Sequence, residues 1–374
     1  MGVGNTNRLS ATTLNKYLKK PVRPLTRKSV IFGMMVTKGK VKWRDGALAL
    51  KWNVETNRRT LNPITGAEHR TSFQQDYPVI ALEMDWAMWE MGLAINIVEK
   101  LKNQNAGDAQ WLDLVQRVVE KGSEDATTDL QTKFWQDGNA TGCGGFMGME
   151  SFLGHSGVVS DSFLCAPHDE YCGKDTDLGT FGGSWTGTYP DGSGPYSYNV
   201  LSPTIVDYCD TNQLAHGTVA ANYNTWENSW QYAVNALVTT LGTLQDAEPD
   251  VIVMNRQMYA QACDSLVGKQ QLMIGDPNSD LVKLGHKVRN YNGVDLVYEY
   301  GVRDETNDKD AVGYAINFDH VYLTSLLPQL IATEEDHDIV TSDDLKKIMV
   351  SLQAVWESPA YFGKLYPQTE LYGS

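Results

Sequence analysis

What this sequence lacks sets its first limits. No run of roughly 18 or more apolar residues occurs, the length a helix needs to cross a bilayer. The opening MGVGNTNRLSATTLNKYLKK has no apolar centre of the kind a secretory signal carries. The expectation is a chain that neither spans a membrane nor is exported by that route. Cysteine is sparse and odd in number: Cys143, Cys165, Cys172, Cys209 and Cys263 suit free thiols in a reducing cytoplasm better than a disulfide framework. Acidic residues are missing altogether from the first 44 positions, which hold Arg8, Lys16, Lys19, Lys20, Arg23, Arg27, Lys28, Lys38, Lys40, Lys42 and Arg44. This arm is +11, and the remainder sets 20 basic residues against all 46 acidic ones, a balance of −26. Such halves attract across copies of the chain, and the basic half can also neutralise phosphates. Pro21, Pro24 and few apolar residues before Val30 leave the arm little with which to fold alone, so a partner is expected to order it.

The familiar signatures of chemistry are also missing. A phosphate-binding P-loop ends in Gly-Lys-Ser/Thr, whereas Gly173-Lys174, Gly268-Lys269 and Gly363-Lys364 run on into Asp175, Gln270 and Leu365. A nucleophile elbow needs glycines two before and two after a serine, and Gly182-Gly183-Ser184-Trp185-Thr186 fails at its last place. No His-Glu-x-x-His helix or calcium loop occurs. One cluster resembles a metal half-site: Cys165, His168 and Cys172, with Cys143 or Cys209 as a fourth ligand. Buried thiols and a loop histidine explain the same spacing, and no metal or other cofactor is expected. Trp52, Trp86 and Trp89 could stack on bases or sugars, but their alternation with apolar neighbours favours burial.

What is present is periodicity. Leu48, Leu50, Trp52 and Val54 alternate with small or polar residues, as do Ile80, Leu82, Met84, Trp86 and Met88. A period of two predicts half-buried strands. With the polar stretch TNRRTLNPITGAEHRTSFQQDYP between them, the pair predicts a long hairpin with a wide tip. Trp89, Met91, Leu93, Ile95 and Ile97 continue with the phase shifted by one, as a bulge would produce. From Asp108 the period becomes helical through Trp111, Val115, Val118, Val119, Gly122, Ala126, Leu130 and Phe134, with Gly138 as the stop. A second helix follows Asn224, carrying Trp226, Trp230, Ala233, Val234, Leu237 and Leu241 up to Gly242. Next come the apolar run Val251 to Met254, a helix capped by Asn255 and running through Leu266, and strands around GVDLVYEYGV and GYAINFDHVYL. Ile348, Val350, Leu352 and Ala354 predict one closing strand before ESPAYFGKLYP. The stretch DLGTFGGSWTGTYPDGSGPY mixes glycines with Phe181, Trp185, Tyr189 and Tyr196, and predicts a place where backbones pass closely.

In this order the elements resemble the major capsid protein of tailed bacteriophages, the HK-97 type of fold, over nearly the whole chain. Gln104-Asn105-Ala106-Gly107 resembles that family's turn from extended loop to spine helix, and Phe134-Trp135-Gln136-Asp137-Gly138 the end of that helix. Thr180-Phe181-Gly182-Gly183-Ser184-Trp185 resembles the family's Thr-x-Gly-Gly segment. Pro249-Asp250-Val251-Ile252-Val253 resembles the opening of the axial domain, and Ser358-Pro359-Ala360-Tyr361-Phe362-Gly363 the return after the closing strand.

The resemblance implies an α+β chain: an N-terminal arm at 1–40, an extended loop hairpin at 41–99, a peripheral domain with the spine helix and a Gly/Cys-containing insertion at 100–245, an axial α/β domain at 246–342, and a return to the peripheral domain at 343–374. It implies a structural protein rather than an enzyme, whose copies form pentamers and hexamers and then an icosahedral shell around double-stranded DNA bound without sequence specificity. Arm residues Lys16, Lys19, Lys20, Arg23, Arg27 and Lys28 would meet neighbouring subunits or DNA, and Lys51, Arg58, Arg59 and Arg70 of the loop would lie on a neighbour. Only about 40 residues precede the hairpin, so a separate scaffolding protein is expected, beside a portal protein; whether decoration proteins bind is left open. Nothing matches the family's lysine–asparagine crosslink residue by residue, so assembly is expected to be noncovalent. The expected location is the virion capsid, assembled in the host cytoplasm. An encapsulin-like compartment is the alternative of the same fold, and a metal-dependent soluble enzyme the alternative of another class.

Overall fold

The computed structural model describes residues 29–43, 48–55, 79–95, 121–122, 124–139, 145–158, 164–176, 200–208, 226–245, 248–268, 280–283, 286–299, 301–302, 312–328, 332–337 and 344–366. The chain divides into two compact units, the larger made of residues 29–87, 131–326 and 352–374 and the smaller of 1–28, 88–130 and 327–351.

The larger unit is built on an eight-stranded mixed sheet. Its strands, in spatial order, are β11 (Arg289–Tyr291), β12 (Val294–Tyr298), β10 (Val251–Met254), β13 (Gly313–Ile316), β18 (Gly363–Tyr366), β9 (Thr204–Asp207), β6 (Leu164–Pro167) and β5 (His155–Val158). β10 pairs parallel with β12 and antiparallel with β13, and all four of its residues are buried. An apolar run without alternation is what a strand covered on both faces requires. Helix α2 (Trp226–Gln245) lays Trp226, Trp230, Ala233, Val234, Leu237 and Leu241 into one core with Ile252, Met254, Leu296 and Ala315 of the sheet. Each fully buried Val, Leu, Ile or Met side chain among them contributes about 1.5–3 kcal/mol relative to exposure. Helix α3 (Arg256–Gly268) joins this core through Met258 and Ala262. It is tied to α2 by the indole N–H groups of Trp226, which donates to the Met258 carbonyl at 2.8 Å, and Trp230, which donates to Ser265 Oγ at 2.6 Å. Asn255 caps α3 as its sequence position predicts, its Oδ1 accepting from the Met258 N–H at 2.7 Å. Gly242 does not stop α2, which continues to Gln245; glycine weakens a helix but does not end one that a packed face supports.

A three-stranded sheet in the same unit orders β1 (Val41–Trp43), β14 (Val321–Ser325) and β17 (Gln353–Trp356), with β1 parallel to β14 and β17 antiparallel. Around it Phe134, Phe146, Phe152, Trp356 and Phe362 meet mostly edge to face, with centroids 5.1–6.1 Å apart. Close backbone passage does occur among the described glycines. A Cβ on Gly148 would fall on the Gln136, Lys133 and Phe134 carbonyl oxygens where helical residues 124–133 end. The stretch 177–196, where close passage is expected from sequence, lies outside the described residues.

In the smaller unit β15 (Ala332–His337), β16 (Asp344–Ser351) and β4 (Met88–Ile95) form an antiparallel sheet with β16 in the centre. Ile348 and Val350 are buried there, as are Ala126 and Leu130 of the helical stretch. Two expectations change here. The second alternating stretch does not run on past a bulge: β3 (Val79–Met84) ends, residues 85–87 are not strand, and β4 takes a new partner. The single closing strand is two, broken at Leu352, with β16 and β17 in different sheets. Alternation specifies which face of a strand is buried, not which strand lies beside it. Among the described residues no helix is long and apolar enough to cross a membrane.

Candidate functional site: the roots of the arm and hairpin

The end of the basic segment folds onto the larger unit. Ser29 precedes the apolar run VIFGMMVT, which forms α1 (Val30–Thr37), and accepts the Phe32 N–H at 3.3 Å as its N-cap. Val30, Ile31, Met34 and Met35 are buried, and the Phe32 ring meets Phe134 edge-on at 5.1 Å. A short helix α4 (Asp280–Lys283) packs against α1. Gly39 follows in the left-handed conformation, at φ +66°, and the Lys40 N–H returns to the Met35 carbonyl at 2.8 Å. This is the glycine-terminated helix end that needs no Cβ. Helix α1 is not among the elements expected from the sequence, although a serine cap before an apolar run and a glycine after it are its signals.

Three lysines counted in the arm are matched inside the chain. Lys38 pairs with Asp250 at 2.9 Å, while the Asp250 Oδ2 accepts the Phe318 N–H at 2.7 Å. Lys40 donates to the Asp319 carbonyl at 2.9 Å, and Lys42 lies 3.8 Å from the Tyr322 ring centroid. At positions 38–42, therefore, the basic segment finds its partners within one chain. At the other end of α1 the Ser29 hydroxyl and the Val30 N–H both donate to Glu299, at 2.8 and 3.1 Å. Burial pushes the Glu299 carboxyl up to about 7, against the pull of these donors.

The hairpin forms over part of the expected alternation: β2 (Leu50–Glu55) pairs antiparallel with β3, from Leu50 opposite Met84 to Glu55 opposite Val79, whereas Leu48, expected on the same buried face, precedes the strand and is fully exposed. Leu50, Leu82 and Met84 are buried at its root. Trp52 is half-buried rather than presented for stacking, and donates to the Glu357 carbonyl at 3.0 Å beside Tyr171. Lys51 faces Glu83 at 2.9 Å, both largely exposed. Arg58, Arg59 and Arg70, and arm residues Lys16, Lys19, Lys20, Arg23, Arg27 and Lys28, lie outside the described residues.

Two other clusters look chemical at first sight. Cys165 is buried on β6, and Cys172 sits in the tight turn between β7 (Glu170–Tyr171) and β8 (Lys174–Asp175). Burial pushes the Cys172 thiol up to about 12, the opposite of what a thiolate ligand needs. Among the described residues no three His, Cys, Asp or Glu side chains are gathered closely enough to hold a metal ion. Deeper in the unit, Lys364 bonds Glu150 at 2.6 Å, Glu150 also accepts the Tyr314 hydroxyl, and burial holds the nearby His155 down at about 4. Lys364 and Glu150 are nearly inaccessible and satisfied by each other, by Tyr314 of β13 and by the Leu153 carbonyl, so the group braces the sheet.

No protein-family model matches the chain, and no curated protein does. Solved structures do. A chain of the cyanophage A-1(L) capsid asymmetric unit superposes with a TM-score of 0.56 at 12% identity, covering 94% of this chain and 96% of that one. A chain of the holo-SrpI encapsulin complex from Synechococcus elongatus PCC 7942 gives 0.51 at 8% identity over 98% and 97%. The capsid of Myoviridae phage XM1 gives 0.50 at 11% identity over 96% and 98%. The chain resembles the major capsid proteins of tailed phages and has, in outline, the mixed α+β fold of shell-forming proteins. Capsids and an encapsulin share that fold.

Proposed function

We propose that this chain is the major capsid protein of a tailed bacteriophage, assembling as pentamers and hexamers into an icosahedral shell around double-stranded DNA. The observation that carries the reading is the shell-protein fold joined to a strongly basic leader: residues 1–28 hold seven Lys or Arg and no acid, just before a root that docks on the larger unit through α1. Lys16, Lys19, Lys20, Arg23, Arg27 and Lys28 reach acidic neighbouring subunits or packaged DNA, and Arg58, Arg59 and Arg70 of the hairpin tip meet an adjacent copy. Lys51, spent on Glu83 in the isolated chain, exchanges that exposed partner for an acidic group of a neighbour at little cost. Assembly is noncovalent and uses a separate scaffolding protein, with a portal protein as a further partner, in the host cytoplasm. The chain is a structural protein without a catalytic site or cofactor.

The encapsulin likeness supports a second reading, a shell around protein cargo. Negative-stain microscopy of the expressed chain, with nuclease-protection analysis of the particles, separates the two. Shells holding nuclease-protected DNA are expected. Shells loaded with a single enzyme favour the second reading, and free monomers even with scaffold present overturn both.

A further inference from the structure

We propose that Glu299 is a protonation-sensitive latch for the root of the basic arm: its neutral carboxyl group holds α1 in place, and its ionisation loosens that hold. The inference concerns α1 alone and stands apart from the shell reading. Glu299 follows β12 directly, and its own N–H donates to the Met254 carbonyl at the end of β10 at 3.2 Å. Its backbone is thereby fixed to the centre of the eight-stranded sheet. The side chain is only 4% exposed, and both oxygens meet the first turn of α1, through the Ser29 hydroxyl, the Val30 N–H and the Ile31 N–H. The two N–H groups are first-turn donors that the helix itself leaves unsatisfied. A single buried carboxyl group therefore closes the helix exactly where residues 1–28 lead into it.

The sign follows from the burial. A glutamate in water ionises near 4.5, and here burial raises it to about 7 although the α1 donors pull it down. The docked state binds its proton more tightly than a state with α1 lifted away and the carboxyl in water. Docking is therefore strongest at low pH and weakens as pH rises from about 4.5 through about 7. The neutral form still accepts the Val30 N–H and gains an O–H that can bond the Ser29 oxygen. Among the described residues, the charged and titratable side chains on the elements packed against β12 and α1 are Lys38 after α1, Lys283 on α4, Lys133 and Asp137 beside Phe134, His286, Lys287 and Arg289 at β11, Asp295 on β12, and Arg256, Tyr259, Cys263 and Asp264 on α3. None figures among the causes of the Glu299 shift, which are burial and the α1 donors.

Hydrogen exchange of amides 30–37 in the full chain tests the latch, converted to protection factors so that the intrinsic pH dependence of exchange drops out. Between about pH 5.5 and about pH 8.5, α1 protection should fall about thirtyfold, while β10 changes far less. Glu299→Gln, neutral at every pH and still able to accept and donate, should keep α1 near its low-pH protection throughout. Ser29→Ala removes a donor that favours the ionised form, so its midpoint should move to higher pH. Wild-type protection that stays flat or rises across this range overturns the latch, as does a Glu299→Gln profile with the wild-type slope. Should Glu299→Gln fail to fold, a Ser29→Ala midpoint that is unmoved or lower overturns it alone.

Discussion

The arm root and the hairpin root lie close in sequence and are held in opposite ways. Residues 29–43 dock by burying four apolar side chains of α1 and by spending Lys38, Lys40 and Lys42 on acceptors of the body. Strands β2 and β3 bury Leu50, Leu82 and Met84 at their base, Trp52 reaches the Glu357 carbonyl and Tyr171, and the remaining positions pair across the ribbon. Val79 is 46% exposed and Leu48 fully so. The difference teaches that a basic, acid-free segment need not be a free tail. Apolar content decides where it docks, and charge decides which surface receives it. A two-stranded ribbon without a second layer has no comparable anchor and is marginal alone.

The largest expected effect breaks the arm side of this comparison. Met35→Ala removes a fully buried side chain from α1 and should cost about 2–5 kcal/mol in denaturant unfolding, with exchange protection lost over 30–37 but kept in β2 and β3. Protection lost equally at both roots would show that they are one cooperative element. Trp52→Ala should do the reverse, at about 1–3 kcal/mol, because it loses a half-buried ring and the bond to the Glu357 carbonyl. Here β2 and β3 should lose protection while α1 keeps it. The smallest effect sharpens the charge argument. Lys38→Ala, from a pair whose side chains are 23% and 32% exposed, should cost about 1 kcal/mol, whereas Lys51→Ala, from a pair 64% and 57% exposed, should cost less than about 0.5 kcal/mol. Equal costs in thermal unfolding would refute the distinction. A Lys51→Ala chain of unchanged stability that assembles poorly would instead place Lys51 at a contact between copies.

The elements legible in the sequence are the local ones. The α2 face, the β10 run, the Asn255 cap and the alternation of β2 and β3 are local signals, each spanning a few turns or residues, and each became the element its spacing predicts. The stretch Trp89 to Ile97 looked like a continuation of the hairpin, yet β4 pairs with β16 some 250 residues on. Leu352 and Ala354 kept the rhythm of Ile348 and Val350 but follow a change of sheet. At that junction Gln353 is buried and fully used, donating to the Asp85 and Gly145 carbonyls and accepting from the Met147 N–H. A glutamine in an apolar-alternating stretch carries no sign of such partners.

The candidate site divides along the same line. That the first 44 residues are uniformly basic, that a hairpin follows them, and that no nucleotide or zinc-helix motif is present are properties of the linear chain, because net charge and side-chain period need no partner to be defined. Which lysines are neutralised within the chain, that α1 closes on Glu299, and that one carboxyl group there is held near neutrality are not. They depend on residues about 210 to 280 positions apart meeting in a water-excluded place. Only the tertiary structure decides that, because burial and its electrostatic cost belong to the assembled surroundings and not to the residue.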